Sequence, residues 1–316
     1  MYLKARTSTL MSMKKKRLEM RKQQGVTLLE LMVGIAIGLM VVAVAMGALM
    51  VSRNVSGTVS DASGIQQQAA HALRTIGQQL RQAGSLYLNL DPNNTLVSDN
   101  TLAASTPVVF ETTASSDASD SGNNFDPATN TLSGSSSNST GTLTVGYRRY
   151  KESTFDPKDH TRVIAQFLAR NCLGGPKDDS ADQRVESTFT FTRSDSTLRC
   201  SGNGATAQPI LQNVADFQVR YLQQDNTSAG DTKIQYVTAS DVASNNSWSR
   251  VQAVEICMVL YGDEVIDIPA GSTYTGCDSD GTAVDFPTTG AAARRMHLTF
   301  RNVFQLRSQG LIGTVL

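Results

Sequence analysis

The chain has 316 residues, of which 40% are hydrophobic and 18% charged, and its 28 basic and 28 acidic side chains give a formal net charge of zero. This length allows one large or two small domains together with a membrane segment. The charge is unevenly placed, because residues 1–25 carry +7 and the remainder carries −7. An acidic main part argues against nucleic-acid binding through bulk charge, so we expect any such contact to be indirect.

A basic leader, residues 1–25, runs directly into an apolar stretch. Residues 31–51 contain no charged side chain, and these 21 residues are about the number that a helix needs to cross the hydrocarbon core of a bilayer. The positive charge predicts that the leader stays in the cytoplasm while the rest of the chain crosses the membrane. The stretch is too long for the core of an ordinary secretory signal.

One carboxylate, Glu30, lies at the head of the apolar stretch. A membrane makes a charged side chain costly there, so this acid indicates a functional site. A plain membrane anchor is the simpler interpretation, but it explains neither Glu30 nor Gly25. Further along, Gly34 and Gly38 form a GxxxG pair, whose spacing allows two helices to approach closely. Ordinary glycine usage in a membrane helix is the alternative for this pair.

The helical pattern continues beyond the apolar stretch. Apolar side chains recur at steps of three and four residues along a Gln-rich segment, namely Ile65, Ala69, Leu73, Ile76, Leu80 and Ala83. Gly84 is suited to end a helix, and no proline interrupts residues 26–83. We predict one helix, with a transmembrane half at residues 26–52 and an amphipathic half at residues 53–84.

The remainder of the chain is polar at first and then rich in strand-like segments. Residues 85–141 are dominated by Ser, Thr, Asn, Asp and Gly, which predicts a loop-rich excursion with one short strand near residues 107–111. Residues 142–316 predict a β-rich globular domain, with strands near residues 143–149, 162–168, 187–193, 217–222, 233–237, 251–261 and 296–306. A helix followed by strands, without βαβ alternation, predicts an α+β fold with an antiparallel sheet packed on the N-terminal helix.

All four cysteines lie in the part predicted to leave the cytoplasm, where disulfides form. Of the three possible pairings we favour the one between near neighbours, Cys172–Cys200 and Cys257–Cys277. Free buried thiols are the alternative. We expect no metal site and no cofactor, because the chain has no CxxC and its three histidines lack ligand spacing. We also find no hydrolase elbow and no phosphate loop, so we do not expect an enzyme.

The N-terminus resembles the signal of type IV prepilins and pseudopilins in its basic leader, Gly25, the sequence Thr27-Leu28-Leu29, and Glu30 as the fifth residue after the glycine. The resemblance implies that a prepilin peptidase cuts between Gly25 and Val26 and methylates the Val26 amine. It also implies that Glu30 faces the amine of a neighbouring subunit and sets the register between helices. Gly34 and Gly38 would then support tight helix packing in a filament core.

Three C-terminal segments resemble the PilW-type minor pilins, namely residues 213–221, 248–254 and 294–302. The resemblance implies an inner-membrane protein of a Gram-negative bacterium, with its C-terminal domain in the periplasm, which later moves to the pilus on the cell surface. The implied partners are prepilin peptidase, other minor and major pilins, and the inner-membrane pilus assembly platform.

The function implied is that of a minor pilin at the pilus tip, in a priming complex that supports assembly, twitching motility, adhesion or DNA uptake. Two alternatives remain open: a J-like pseudopilin of a type II secretion system, and an adhesin or ligand-binding module displayed on the pilus. A group of arginines near the C-terminus, Arg294, Arg295, Arg301 and Arg307, indicates a solvated strand face, a partner surface or a contact with DNA.

Overall fold

The computed structural model describes residues 25–85, 88–89, 109–110, 125–137, 140–180, 182–225, 233–278 and 281–306. The chain divides into two compact units, residues 1–55 and residues 56–316. Most of the predicted leader and most of the predicted polar excursion lie outside the described residues, and so does Arg307.

A single helix, α1, comprises the 55 residues Leu28–Gln82, in agreement with the predicted helix. Its part in the first unit is the apolar one, and the apolar side chains there are exposed. By length and composition this helix is able to cross a membrane, with a mean hydropathy of 2.5 over its most apolar window. Gly84 follows the helix in a left-handed conformation (φ +68°), as expected of a residue that ends a helix.

The second unit contains the rest of α1, two short helices and fifteen described strands. The short helices are α2, Pro127–Asn130, and α3, Ala239–Ser244. The strands are β1 Leu88–Asn89, β2 Val109–Phe110, β3 Leu132–Ser136, β4 Thr140–Arg148, β5 Lys151–Phe155, β6 Val163–Phe167, β7 Arg184–Thr192, β8 Thr197–Gly202, β9 Gln208–Leu211, β10 Val214–Asp225, β11 Lys233–Val237, β12 Val251–Val265, β13 Thr273–Thr275, β14 Ala283–Asp285 and β15 Arg295–Gln305.

The strands form two main sheets and three small ones. One sheet has five strands in the order β3-β4-β7-β8-β9, and the other has four in the order β11-β10-β12-β15. The pairs β1–β2, β5–β6 and β13–β14 are separate two-stranded sheets. Every described pairing is antiparallel. The predicted α+β class with an antiparallel sheet is therefore confirmed.

One apolar core joins α1 to both main sheets. The helix contributes one buried stripe, Ile65, Ala69, Ala72, Ile76, Leu80 and Ala83. Leu73, predicted to belong to this stripe, is only partly buried, and Ala72 takes the central position. The small side chain of Ala72 fits where the helix lies close to the sheet. A residue as large as leucine is accommodated better at the edge of the contact.

The long strand β12 is buried on both of its faces. Ile256 and Met258 point into the main core, while Cys257 and Val259 belong to a second small cluster with Cys277. Because successive side chains of a strand point to opposite faces, the second cluster lies on the other face of the sheet. There it is covered by the segment between β12 and β15 that carries β13 and β14.

The cysteines are joined as Cys172–Cys200 and Cys257–Cys277, the pairing that the sequence favoured, with Cα–Cα distances of 6.5 and 5.6 Å. The first bridge links β8 to the loop before β7. The second fastens the β13–β14 segment to β12.

The structure also contains strands that the sequence analysis did not find. Strand β3 lies in a Ser-rich stretch that we interpreted as part of the loop-rich excursion, and it pairs along its full length with β4. Its backbone hydrogen bonds do not depend on side-chain hydrophobicity. In addition, Gly134 lets the Tyr221 ring pack against this strand, since a Cβ there would lie 2.1 Å from the Tyr221 hydroxyl oxygen. Strands β8 and β9 were also missed, although Leu198 and Cys200 of β8 alternate with the polar residues Arg199 and Ser201.

Candidate processing and assembly site

The start of α1 is set by a side-chain cap. The Thr27 hydroxyl oxygen accepts a hydrogen bond from the Glu30 N–H at 3.2 Å, and the Thr27 carbonyl accepts one from the Leu31 N–H at 3.1 Å. Thr27 is thus the N-cap of the helix, and Glu30 is its third residue, near the positive end of the helix dipole. Gly25 and Val26 precede the helix and are exposed. The sequence analysis missed the capping role of Thr27, although its spacing to Glu30 is that of a capping box.

The two glycines of the GxxxG pair lie one and two turns beyond Glu30. A Cβ built on either Gly34 or Gly38 would meet nothing within 4 Å among the described residues. The surrounding side chains are apolar and about half exposed or more, as with Val33 (49%) and Ile37 (58%). This stretch therefore presents an apolar surface with two small residues to its surroundings.

In the second unit, α1 is attached to the sheets through a buried amide, that of Gln79. Its Nε2 donates to the Arg170 carbonyl at 3.2 Å, and its Oε1 accepts from the Ser187 hydroxyl at 2.8 Å. The Tyr147 hydroxyl, 3.3 Å from the same oxygen, donates to the Arg170 carbonyl at 2.5 Å. Burial raises the pKa of Tyr147, so this hydroxyl stays protonated and able to donate. A glutamine inside an apolar stripe was a signal that the sequence analysis did not use.

Arg149 is the largest fully buried side chain of the described residues. Its guanidinium donates to four backbone carbonyls of one loop, those of Pro176, Lys177, Ser180 and Asp182, at 2.7–3.1 Å. It also stacks on the Phe167 ring, 4.0 Å from the ring centre. Burial and the neighbouring charge of Arg170 lower the pKa of Arg149. The side chain therefore holds the loop 176–182 against the end of β4, a role with no signal in the sequence.

The described arginines of the C-terminal group bind within their own unit. Arg301 forms an ion pair with the buried Glu255 at 3.0 Å and donates to the carbonyls of Cys277 and Asp278. Arg295 donates to backbone carbonyls at the end of β12. These contacts fasten the β13–β14 segment and the end of β12, and they leave less free positive charge for DNA than the sequence indicated.

No group of three His, Cys, Asp or Glu among the described residues is arranged to hold a metal ion. The geometry around Thr27 and Glu30 is instead that of a helix end, with an exposed segment before it and an apolar surface after it. Gly25 and Val26 are therefore accessible, and the helix that follows them exposes an apolar surface.

Two family models match the chain. Residues 20–46 match the model described as Prokaryotic N-terminal methylation motif, and residues 180–308 match Type IV Pilus-assembly protein W. Among solved structures, a type IV-like pilin from Thermus thermophilus is similar over 56% of this chain and 84% of that chain, with 12% identity and a TM-score of 0.29. No curated protein sequence matches the chain significantly.

An apolar N-terminal helix with a methylation motif at its start, followed by an antiparallel β domain, defines a type IV pilin-like protein. Pilins are structural rather than catalytic proteins. The match of residues 180–308 adds that the C-terminal part of the chain is similar to Type IV Pilus-assembly protein W.

Proposed function

We propose that this protein is a minor pilin that is cleaved, methylated and then incorporated into a type IV pilus at or near its tip. The observation that carries the proposal is the position of the methylation motif: it covers the exposed Gly25–Val26 bond and the first turn of an exposed apolar helix, in a chain that also has a PilW domain. Its role in the pilus would be to support assembly, and through assembly motility, adhesion or DNA uptake.

The first step is cleavage by a prepilin peptidase after Gly25, followed by methylation of the Val26 amine. The Thr27 cap supports this assignment, because the helix begins only after Thr27. The Gly25–Val26 bond that would be cut therefore lies outside the helix. A bond outside a helix fits a peptidase site, whereas a helical one must first be unwound.

The second step is assembly through the helix. Cleavage creates a charged amine beside an apolar segment, and such a charge needs a partner inside a filament. Glu30 would provide the partner for a neighbouring subunit and so set the register between two helices, as buried charged pairs do in other assemblies. Gly34 and Gly38 would allow the close approach that this pairing requires.

Before assembly, the protein would cross the inner membrane once, with its C-terminal domain in the periplasm. The basic leader before the apolar stretch and the two disulfides support this orientation. Its partners would be prepilin peptidase, the assembly platform, and other minor and major pilins.

The experiment that tests this function follows an epitope-tagged chain into sheared pili. We expect the wild type in the pilus fraction, and Glu30→Ala and Glu30→Gln cleaved normally but reduced there at least tenfold. Thr27→Val keeps the shape of residue 27 but removes the capping hydroxyl. It is the control that shows how much of the effect comes from a changed start of the helix. Normal incorporation of Glu30→Ala would contradict the role of this carboxylate. A chain absent from pili but required for protein secretion would favour the J-like pseudopilin instead.

A further inference from the structure

Helix α1 makes a carboxylate contact with the sheet at Asp61. One Asp61 oxygen accepts a hydrogen bond from the Asp263 N–H at 2.9 Å, and the other accepts from the Glu264 N–H at 3.3 Å. Asp61 lies one helical turn before Ile65, in line with the buried stripe. At this end of the apolar face, the helix therefore contacts the sheet through a carboxylate that accepts hydrogen bonds from two successive backbone N–H groups.

The backbone at residues 262–264 is accessible to the Asp61 carboxylate for two reasons. Residues 262–264 lie where the pairing of β12 with β15 is irregular, between Tyr261 and Val265. Gly262 provides the space, because a Cβ there would lie 1.8 Å from Asp61 Oδ2. Gly262 has no positive φ, so the reason for glycine at this position is the carboxylate and not the backbone conformation.

The irregular segment 262–264, called the bulge below, is also bound by side chains other than Asp61. Arg295 donates to the carbonyls of Gly262 and Asp263, and the Asn213 amide donates to the Asp263 carboxylate at 2.7 Å. The N–H groups of the bulge thus bind the helix while its carbonyls bind β15. If the helix moved by one turn, the two N–H groups would lose their acceptor, and an unpaired polar group is costly.

Gln79 provides the corresponding contact at the other end of the buried stripe. It lies 18 residues after Asp61, which is five helical turns or about 27 Å. Between the two, the helix contacts the core through apolar side chains, among them Ala69 and Ala72. Apolar contact is not directional, and small side chains tolerate a shift along the axis. The Phe304 ring packs closely on Gly77 in this stretch, and the polar contacts at the two ends add directional contacts that distinguish one register from the next.

We propose that Asp61 is a positioning residue that fixes the axial register of α1 on its own sheet. Gly262 leaves the space for its carboxylate, and the hydrogen bonds of Gln79 fix the helix at a second position. The assembly consequence rests on the proposed pilin function, since a subunit whose helix is out of register presents altered surfaces to its neighbours. The structural part of the proposal does not depend on that function.

A double-mutant cycle on the full mature chain in detergent tests the structural part. Gly262→Ala should lower the thermal midpoint, because its new Cβ collides with Asp61. Asp61→Ala should lower it by about 2–4 °C through loss of two hydrogen bonds. In the double variant the collision is absent, so the double variant should melt above Gly262→Ala alone. The control is Gly64→Ala, whose Cβ would meet nothing within 4 Å and whose effect should simply add to that of Asp61→Ala. Additive effects of Asp61→Ala and Gly262→Ala would overturn the proposal.

The positioning role is separated from plain stability by pilus incorporation. Asp61→Ala is compared with Ile65→Val, a change in the same stripe that lowers stability without affecting register, at temperatures where both are equally folded. We expect Asp61→Ala to enter sheared pili several-fold less than Ile65→Val. Equal incorporation would show that Asp61 contributes stability only. Absence of the wild type from pili would instead contradict the proposed function, while the result of the double-mutant cycle would still stand.

Discussion

At the scale of single residues, several buried polar side chains organise the second unit, and His297 is one of them. It is 7% exposed and lies among Tyr261, Tyr274 and Phe286, with its ring stacked on Tyr274 at 4.6 Å. Its Nδ1 lies 2.9 Å from the Arg295 carbonyl and donates to it, while its Nε2 has no partner among the described residues. Burial lowers the pKa of His297, more than the hydrogen bond to the Arg295 carbonyl raises it.

This environment predicts a loss of stability in acid. The native state keeps His297 neutral, whereas the unfolded chain binds a proton near the ordinary pKa of about 6.5. Stability should therefore be complete above pH 6.5 and fall as the pH drops from 6.5 towards the lowered native pKa. In thermal melts from pH 8 to pH 5, His297→Phe should flatten this decline. His160→Gln, a change at an exposed site, should leave it unchanged. A decline identical in His297→Phe and wild type would contradict the assignment.

The buried cation of Arg149 leads to a second prediction at this scale. Arg149→Met removes four charge-assisted hydrogen bonds to carbonyls of the 176–182 loop, and the Ser180 and Asp182 carbonyls lose their Arg149 donor. We therefore expect it to lower the free energy of unfolding by roughly 3–5 kcal/mol. Arg199→Met is the matched control, because Arg199 pairs with Asp195 on the surface and should cost at most about 1 kcal/mol. Denaturant titration measures both. A loss in Arg149→Met no larger than the control would show that the loop is held by other contacts.

At the scale of elements, the two disulfides close short parts of the β domain. Cys257–Cys277 ties the β13–β14 segment to β12, and the Arg220 and Arg301 guanidinium groups also bind the Cys277 carbonyl. Replacing both Cys257 and Cys277 by serine should lower the free energy of unfolding by about 2–5 kcal/mol. The loss should be accompanied by faster proteolysis within residues 266–294. Unchanged melting and cleavage would indicate that the bridge is not formed in the native protein.

Apart from β12, whose apolar run is nearly continuous, most of the strands that were predicted correctly alternate apolar and polar residues. Strands β10 and β15 show this pattern because one of their faces is partly solvated. Strand β3 has Ser and Gly in place of apolar residues, and only its pairing with β4 makes it a strand. Such pairing joins residues that the local sequence does not connect, so no pattern within β3 itself could have indicated it.

The helix, unlike β3, was predictable because its pattern lies within its own sequence. Its apolar stretch and its stripe repeat over many turns, and Gly84 marks its C-terminal end, whereas the Thr27 cap at its start was not used. Its polar contacts were not predictable, because Asp61 and Gln79 find their partners more than 90 residues away. The side chains that set register are therefore the part of this interface that the sequence hides.

At the scale of the whole molecule, the sequence pattern and the family matches divide the chain into the same two parts. An N-terminal segment carries the methylation-motif match and the apolar helix, and a C-terminal domain carries the PilW match. The polar region at residues 85–141 was predicted to be an excursion. Its described part contains α2 and β3, with Phe125 fully buried, so this part contributes to the core.

The central claim is cleavage between Gly25 and Val26, and it is tested most directly by the mass and N-terminal sequence of the mature protein. We expect an N-methylated Val26 in cells that contain prepilin peptidase, and the intact leader in cells that lack it. Gly25→Ala should leave the precursor uncut in both, and Gly34→Ala, a change inside the helix, should be cut normally. An intact leader in the presence of the peptidase, or a cut beyond the apolar stretch, would contradict the assignment of this chain as a pilin subunit.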